Sequence, residues 1–145
     1  MTKGGPSSGR SSPAEGDDFS HLRGLVVDDD RDVLALIEFV LRDLGILRLR
    51  GTTDPVEAKR WIEANPDAFD VILCDWSMPE MTGIEFLKWV RSKTTGVTFV
   101  MLTGNTASDA VAQAKELDVD SYVAKPFRPA ELKKRLTLLL TKRAA

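Results

Sequence analysis

Short apolar runs alternate with amphipathic helical segments along most of this chain of 145 residues. Five runs predict strands: LRGLVV from residue 22, ILRLRG from 46, FDVILCD from 69, VTFVMLT from 97 and DSYVA from 120. Strands separated by helices pair in parallel through right-handed crossovers, with helices on both faces of the sheet. The sequence therefore predicts an α/β domain, a doubly wound five-stranded parallel sheet with five helices.

Start signals precede four of the five predicted helices. These are Asp30, Asp54 followed by Pro55, Thr82 with Glu85 three residues later, and Pro129. Such residues satisfy or complement the free backbone N–H groups of a first helical turn. Gly45 ends the first helix, and a weaker fourth helix is predicted over residues 107–117.

The strand order follows from how each run is patterned. The runs around Leu25, Val71 and Val97 are continuously apolar, as in parallel strands that are buried on both faces. ILRLRG alternates leucine with arginine, which indicates a strand with one exposed side. Placing it at an edge gives the order 2-1-3-4-5, as in flavodoxin-like folds.

Composition limits the remaining possibilities. Residues 1–20 are rich in Gly, Ser and Pro and predict a disordered tail without a signal peptide, which leaves residues 21–145 as one domain. A net charge of −2 does not favour direct contact with nucleic acid. No apolar run reaches the roughly 20 residues of a membrane span. Cys74 cannot pair within the chain and is expected to be a buried core residue in a reducing cytoplasm.

Polar residues follow four neighbouring strands of the predicted sheet. Asp28, Asp29 and Asp30 follow the first strand; Asp75, Thr103 and Lys125 follow the third, fourth and fifth. Three adjacent aspartates could be a solvated turn, or they could share a cation. Because the carboxyl ends of parallel strands form one rim where ligands bind, the convergence of four strands favours the second interpretation.

These residue types suit phosphoryl chemistry. Mg²⁺ prefers oxygen ligands and binds through one or two carboxylates plus phosphate oxygens. A carboxylate can itself act as the nucleophile and form an aspartyl phosphate. A lysine supplies a compact positive charge for phosphate oxygens. The chain has no glycine-rich nucleotide-binding motif and no Cys/His cluster for zinc.

Four motifs, VVDD, CDWSMPEMTG, VMLTG and YVAKPF, occur in this order at the ends of the predicted strands. Together they resemble the receiver domain of bacterial two-component response regulators, over about residues 22–140. The resemblance implies a cytoplasmic phosphorelay switch rather than an enzyme. It also implies a sensor histidine kinase or histidine phosphotransfer protein as phosphodonor, and a downstream protein target.

The resemblance implies a role for each rim residue. Asp75 is expected to accept the phosphoryl group. Asp29 and Asp75 are expected to bind Mg²⁺ directly, Asp28 through water, and Ser77 through its backbone carbonyl. Lys125 is expected to pair with the phosphoryl oxygens. Asp30 matches no functional position of the family and is expected to cap the first helix.

The same resemblance describes how the switch would act. Thr103 is expected to bind the phosphoryl group and to shift on activation, which lets Tyr122 turn inward. The surface of the fourth helix, fifth strand and fifth helix would then change its affinity for a partner. The resemblance also implies a cis Lys125–Pro126 bond. No output domain follows the fifth helix, so a stand-alone receiver or a piece of a longer protein is expected.

Two other functions remain open at this stage. An aspartyl-phosphate phosphatase resembling the haloacid dehalogenase family could use Asp28 and Asp30 after the first strand, with Thr103 and Lys125. That family needs an acidic motif beyond the lysine, and only Glu131 follows here. A non-phosphorylated binding module would need a degenerate site. The run ELDVDSY departs from the Gly-Ala that commonly precedes the fifth strand of receivers, which leaves that loop open to question.

Overall fold

The computed structural model describes residues 18–104 and 119–144. Within these ranges the chain forms β1 Arg23–Val27, α1 Arg31–Asp43, β2 Arg48–Thr52, α2 Pro55–Ala64, β3 Val71–Asp75, α3 Gly83–Lys93, β4 Thr98–Thr103, β5 Ser121–Ala124 and α4 Pro129–Ala144. The predicted fourth helix, over residues 107–117, lies outside the described residues, as does Asp118 of the run ELDVDSY. Helix α4 is therefore the fifth predicted helix.

The five strands form one parallel sheet in the order β2-β1-β3-β4-β5. The doubly wound fold and the strand order predicted from the sequence are thus confirmed. Strand β3 lies at the centre and is buried along its whole length, whereas β2 lies at an edge and has exposed positions. This difference matches the continuous apolar run of β3 and the alternating run of β2.

The helix ends are where the capping residues predict them. The Asp30 side chain accepts hydrogen bonds from the backbone N–H groups of Asp32 and Val33, so this carboxylate caps α1 as expected. Thr82 and Glu85 form a reciprocal capping box at the start of α3. After α1 the chain reverses at Gly45, whose φ of 95° is a conformation that favours glycine.

Two hydrophobic cores fill the two faces of the sheet. One joins β-strand residues to α1 and α4 and includes Ile37, Leu41, Leu132 and Leu136. The other joins them to α2 and α3 and includes Phe86 and Cys74, so the single cysteine is buried as predicted. No described helix combines the length and the apolar character needed to span a membrane.

One residue of the range predicted as a tail, Phe19, belongs to the core. Phe19 was placed in the predicted tail, but its side chain is only 4% exposed and packs in the core with Leu22 and Leu140. The backbone N–H of Leu22 donates to the carbonyl of Phe19. A single aromatic residue next to polar ones is a weak hydrophobic pattern, which explains why the sequence did not assign Phe19 to the core. Residues 1–17 lie outside the described residues.

Candidate functional site

The polar residues predicted at the strand ends do meet at one edge of the sheet. Asp28 and Asp29 follow the last residue of β1, and Asp75 and Thr103 are the last residues of β3 and β4. Lys125 follows β5 directly, and its backbone N–H donates to the Thr103 carbonyl at 2.7 Å. Parallel pairing in this order brings all five residues to the carboxyl edge, as expected.

Lys125 joins two of the carboxylates. Its Nζ lies 2.8 Å from Asp28 Oδ2 and 3.1 Å from Asp75 Oδ1. Asp28 Oδ1 accepts from the backbone N–H of Asp30, but Oδ2 is buried and has no well-oriented hydrogen bond among the described residues. The contact of Oδ2 with Lys125 is therefore an ion pair of poor hydrogen-bond geometry. A buried oxygen of this kind has capacity for a further electrophilic partner.

Three carboxylates of this site could hold a metal ion. Single oxygen atoms of Asp28, Asp29 and Asp75 all lie within 4.8 Å of one another. An all-oxygen cluster with an under-satisfied buried oxygen fits a hard divalent cation, which would offset the mutual repulsion of the carboxylates. These three carboxylates therefore fit a divalent cation, as the run of aspartates after the first strand suggested.

The pKa shifts of Asp75 and Lys125 reflect the close approach of several charges at this site. Burial raises the pKa of Asp75 from 3.8 to about 6, and the Asp28 charge adds to this rise while Lys125 opposes it. For Lys125, burial lowers the pKa, but the adjacent carboxylates of Asp28 and Asp75 outweigh burial and raise it. Lysine thus stays cationic at neutral pH. The carboxylate of Asp75 carries an unfavourable charge that a bound cation would offset.

The thiol of Cys74, next to Asp75, is unreactive. Burial, followed by the charges of Asp75 and Asp28, raises the pKa of Cys74 well above its usual value. A thiol that stays protonated is a poor nucleophile and a poor metal ligand. Cys74 is therefore not a candidate nucleophile of this site.

The remaining predicted site residues lie around this centre. Thr103 is buried at the end of β4. Ser77 is exposed in the loop after β3, and its role as a carbonyl ligand stays a prediction. Tyr122 is partly buried on β5 opposite Met101 and packs against the core of α2 and α3. The Lys125–Pro126 bond is cis, as the resemblance implied.

Gly83 is required by close packing rather than by its backbone angle. It is the first residue of α3 and has no left-handed φ. A Cβ atom at this position would lie 2.5 Å from the Asp75 carbonyl oxygen and 2.7 Å from Met101 Sδ. The Gly83 N–H also donates to the Trp76 carbonyl at 2.7 Å. Glycine thus lets α3 approach the loop that carries the central carboxylate.

Sequence reasoning missed the anchoring of that loop. Met78 is only 6% exposed and packs with Trp76 against the core of α2 and α3. The Trp76 N–H donates to the Leu102 carbonyl at 2.7 Å, which fixes the start of the loop to β4. The available indication of this anchor was an apolar pair in an otherwise polar loop, Trp76 and Met78, which lie one and three residues after the buried strand.

Comparisons with known proteins agree with this geometry. Residues 25–137 match the family model of the response regulator receiver domain. Chemotaxis protein CheY1 of Helicobacter pylori is 35% identical over 121 residues, covering 82% of this chain and 97% of the relative. Chemotaxis protein CheY of Pseudomonas aeruginosa is 32% identical over 117 residues, covering 79% and 93% of the two chains.

Solved structures give the same result. Chemotaxis response regulator CheY4 of Vibrio cholerae is 32% identical with a TM-score of 0.73, covering 81% of this chain and 98% of its own. The BeF3-activated DrrB receiver domain is 26% identical with a TM-score of 0.72, covering 83% and 97%. The protein is thus a phosphorelay signal-transduction switch, and the chain belongs to the response regulator receiver domain family.

Proposed function

We propose that the protein accepts a phosphoryl group on Asp75 from a phosphohistidine of a sensor kinase or a histidine phosphotransfer protein. The supporting observation is the different exposure of the three carboxylates. The Asp28 side chain is 0% exposed and cannot reach a donor, whereas Asp29 is exposed without an ion pair to Lys125 among the described contacts. The Asp75 side chain keeps 9% of its surface exposed and lies 3.1 Å from Lys125 Nζ, so it retains a small contact with solvent and is oriented by the lysine.

The transfer step is a displacement at phosphorus. An Asp75 carboxylate oxygen attacks, the new P–O bond forms, and the P–N bond to the donor imidazole breaks. The donor imidazole leaves with the electron pair of that bond, and because its second ring nitrogen carries a proton in the phosphoimidazolium form, the product is neutral histidine. With a pKa of about 6, Asp75 is mostly ionised at neutral pH and can act as the nucleophile. Lys125 stays cationic and is close enough to pair with the transferred oxygens.

We assign the metal of this site as Mg²⁺. Asp29 and Asp75 would hold it directly, Asp28 through water, and Ser77 through its backbone carbonyl. When bound, Mg²⁺ supplies positive charge that balances the carboxylates and the phosphoryl oxygens. Its preference for oxygen ligands and retained water suits a cluster in which the outer carboxylate, Asp29, is exposed.

The signal would leave the site through β4 and β5. Thr103 contacts Lys125 through the backbone, and Tyr122 lies on β5 next to β4. The Tyr122 carbonyl accepts from Arg135 of α4 at 2.9 Å, which links the strand to the last helix. We propose that phosphorylation draws Thr103 toward the phosphoryl group. The surface of the predicted fourth helix, β5 and α4 then changes its affinity for a downstream protein.

The protein would act as a switch rather than as an enzyme for other substrates, and in the cytoplasm, where a free buried thiol such as Cys74 stays reduced. A phosphatase of the haloacid dehalogenase type would need Asp28 as its nucleophile. The complete burial of that side chain argues against this role.

A phosphodonor experiment tests the proposal. Incubation with acetyl phosphate and Mg²⁺ should add one acid-stable, base-labile phosphoryl group, detected by intact mass. Asp75→Asn should abolish the addition. Asp30→Asn is the matched control, because Asp30 is exposed and caps α1, and asparagine caps equally well. Addition to Asp75→Asn but not to Asp28→Asn would reject the proposal in favour of the phosphatase mechanism.

A further inference from the structure

A basic pocket lies beside the edge strand β2, beneath the carboxyl end of α2. It has a volume of about 470 Å³ and is lined by Arg23, Arg48, Leu49, Arg50, Trp61 and Phe69, among others. Arg48 is the first residue of β2. The pocket therefore lies toward the amino ends of the strands, whereas the phosphoryl site lies at their carboxyl ends. Its size is typical of sites that bind small groups or the side chains of a partner.

The positive charge of this pocket is only partly balanced by the described residues. No carboxylate lines the pocket, and neither Arg48 nor Arg50 forms an ion pair with a described residue. Arg23 lies opposite Arg48 in the β1–β2 register, which places like charges side by side. Asp70 pairs with Arg23, but it is shared with Arg143, so Arg48 gains little from it.

Arg50 is held in a defined position. Its guanidinium lies 4.6 Å from the centroid of the Trp61 ring. Stacking fixes the plane of a guanidinium and leaves its N–H edge free for a bidentate contact with a carboxylate. The arginine thus needs little ordering before it binds an anion.

Strand β2 also has a free edge. It pairs with β1 alone among the described strands, so the outward backbone groups of Arg48–Thr52 can accept another strand. Arg48 and Arg50 alternate with Leu49 and therefore point to the same face, about 7 Å apart along the strand. Acidic residues at alternate positions of an added strand have the same spacing.

We infer that the edge of β2, with Arg48, Arg50 and the adjoining pocket, binds an extended acidic segment of a partner protein. The segment adds a strand to the sheet through backbone hydrogen bonds, and its alternate carboxylates meet the two arginines. Charged residues on an edge strand also discourage self-association. That role alone does not require a stacked arginine above an aromatic pocket.

A short synthetic peptide provides the probe. We would add acetyl-Ser-Val-Glu-Val-Glu-Val-Ser-amide to the ¹⁵N-labelled full chain at low salt and follow the backbone amides by NMR. The expected result is a saturating shift change centred on residues 48–52. The same peptide with glutamine for glutamate should bind at least ten-fold more weakly, because only the charge is lost.

Matched variants locate the contact. Arg48→Gln and Arg50→Gln should each weaken binding about five-fold, as for exposed ion pairs. Arg60→Gln removes the same charge from an exposed position of α2 outside the pocket and should leave binding unchanged. Arg48 forms no cation–π contact with Trp61 among the described residues. The Arg48→Gln variant therefore keeps the test valid if Arg50→Gln fails to fold.

Three results would overturn the inference. One is the absence of shift changes on β2 at millimolar peptide. Another is an equal loss of affinity in Arg60→Gln, which would indicate unspecific charge attraction. The third is binding of inorganic phosphate or a nucleoside monophosphate at Arg48 and Arg50 without binding of the peptide, which would make the pocket a small-anion site.

Discussion

Replacing Asp75 by asparagine should stabilise the protein when no divalent cation is present. The folded state raises the pKa of Asp75 from 3.8 to about 6, chiefly through burial and then through the Asp28 charge. A pKa difference of about 2 corresponds to about 3 kcal/mol. This value already includes the opposing charge of Lys125. Asparagine has the shape of the protonated acid and avoids the cost of its ionisation.

The pH dependence of this stability difference shows whether the ionisation of Asp75 causes it. Between pH 3.8 and about 6 the folded state binds more protons at Asp75 than the unfolded state, so the stability of the wild type falls as pH rises through this window. The advantage of Asp75→Asn should therefore be absent near pH 4 and reach about 3 kcal/mol above pH 7. For a domain of this size that corresponds to about 10 °C in Tm.

Urea unfolding of both proteins in EDTA from pH 4 to 8 measures this difference. Saturating Mg²⁺ should stabilise the wild type more than the variant, because a ligand stabilises the state that binds it. The difference in the free energy of unfolding between the two proteins should therefore become smaller. Asp30→Asn should show no comparable gain. If Asp75→Asn is no more stable than the wild type at pH 8 in EDTA, the carboxylate is not electrostatically strained and the reasoning fails.

Three further predictions concern the surroundings of this site. Gly83→Ala should lower the free energy of unfolding by about 2 kcal/mol through overpacking against the loop after β3, whereas Gly104→Ala should be neutral because no atom lies within 4 Å of its added Cβ; equal effects would contradict the close-approach account. Asp29→Ala should strongly weaken the Mg²⁺-dependent change in Trp76 fluorescence, and an unchanged titration would remove this carboxylate from the metal site. Thr103→Ala should still accept phosphate but lose most of the beryllofluoride-dependent NMR shifts on β5 and α4; retention of the full wild-type pattern would exclude it as the relay.

The order of strands could be predicted because each local pattern agreed with the same global fold. Alternating Arg and Leu placed β2 at an edge, and continuous apolar runs placed β3 inside. Once the order is known, residues that follow the strands must meet at one rim. Asp75 and Lys125 were therefore predictable as neighbours before any distance was known.

The distribution of burial among the aspartates could not be predicted. Asp28 and Asp29 are adjacent in sequence, yet one is fully buried and the other exposed, because successive side chains at a strand end point to opposite sides. The requirement for glycine at position 83 could not be predicted either, because it depends on how closely α3 approaches the Asp75 carbonyl. Phe19 joins a core cluster that includes the distant Leu140, which no local pattern encodes.

The most direct test of the central claim is to locate the phosphoryl group chemically. Borohydride reduces an aspartyl phosphate to homoserine, which peptide mapping by mass spectrometry can assign to one residue. After incubation with acetyl phosphate and Mg²⁺, the account predicts homoserine at position 75 and unmodified Asp28 and Asp29. Homoserine at position 28 or 29, or a phosphoryl group that resists borohydride, would contradict it.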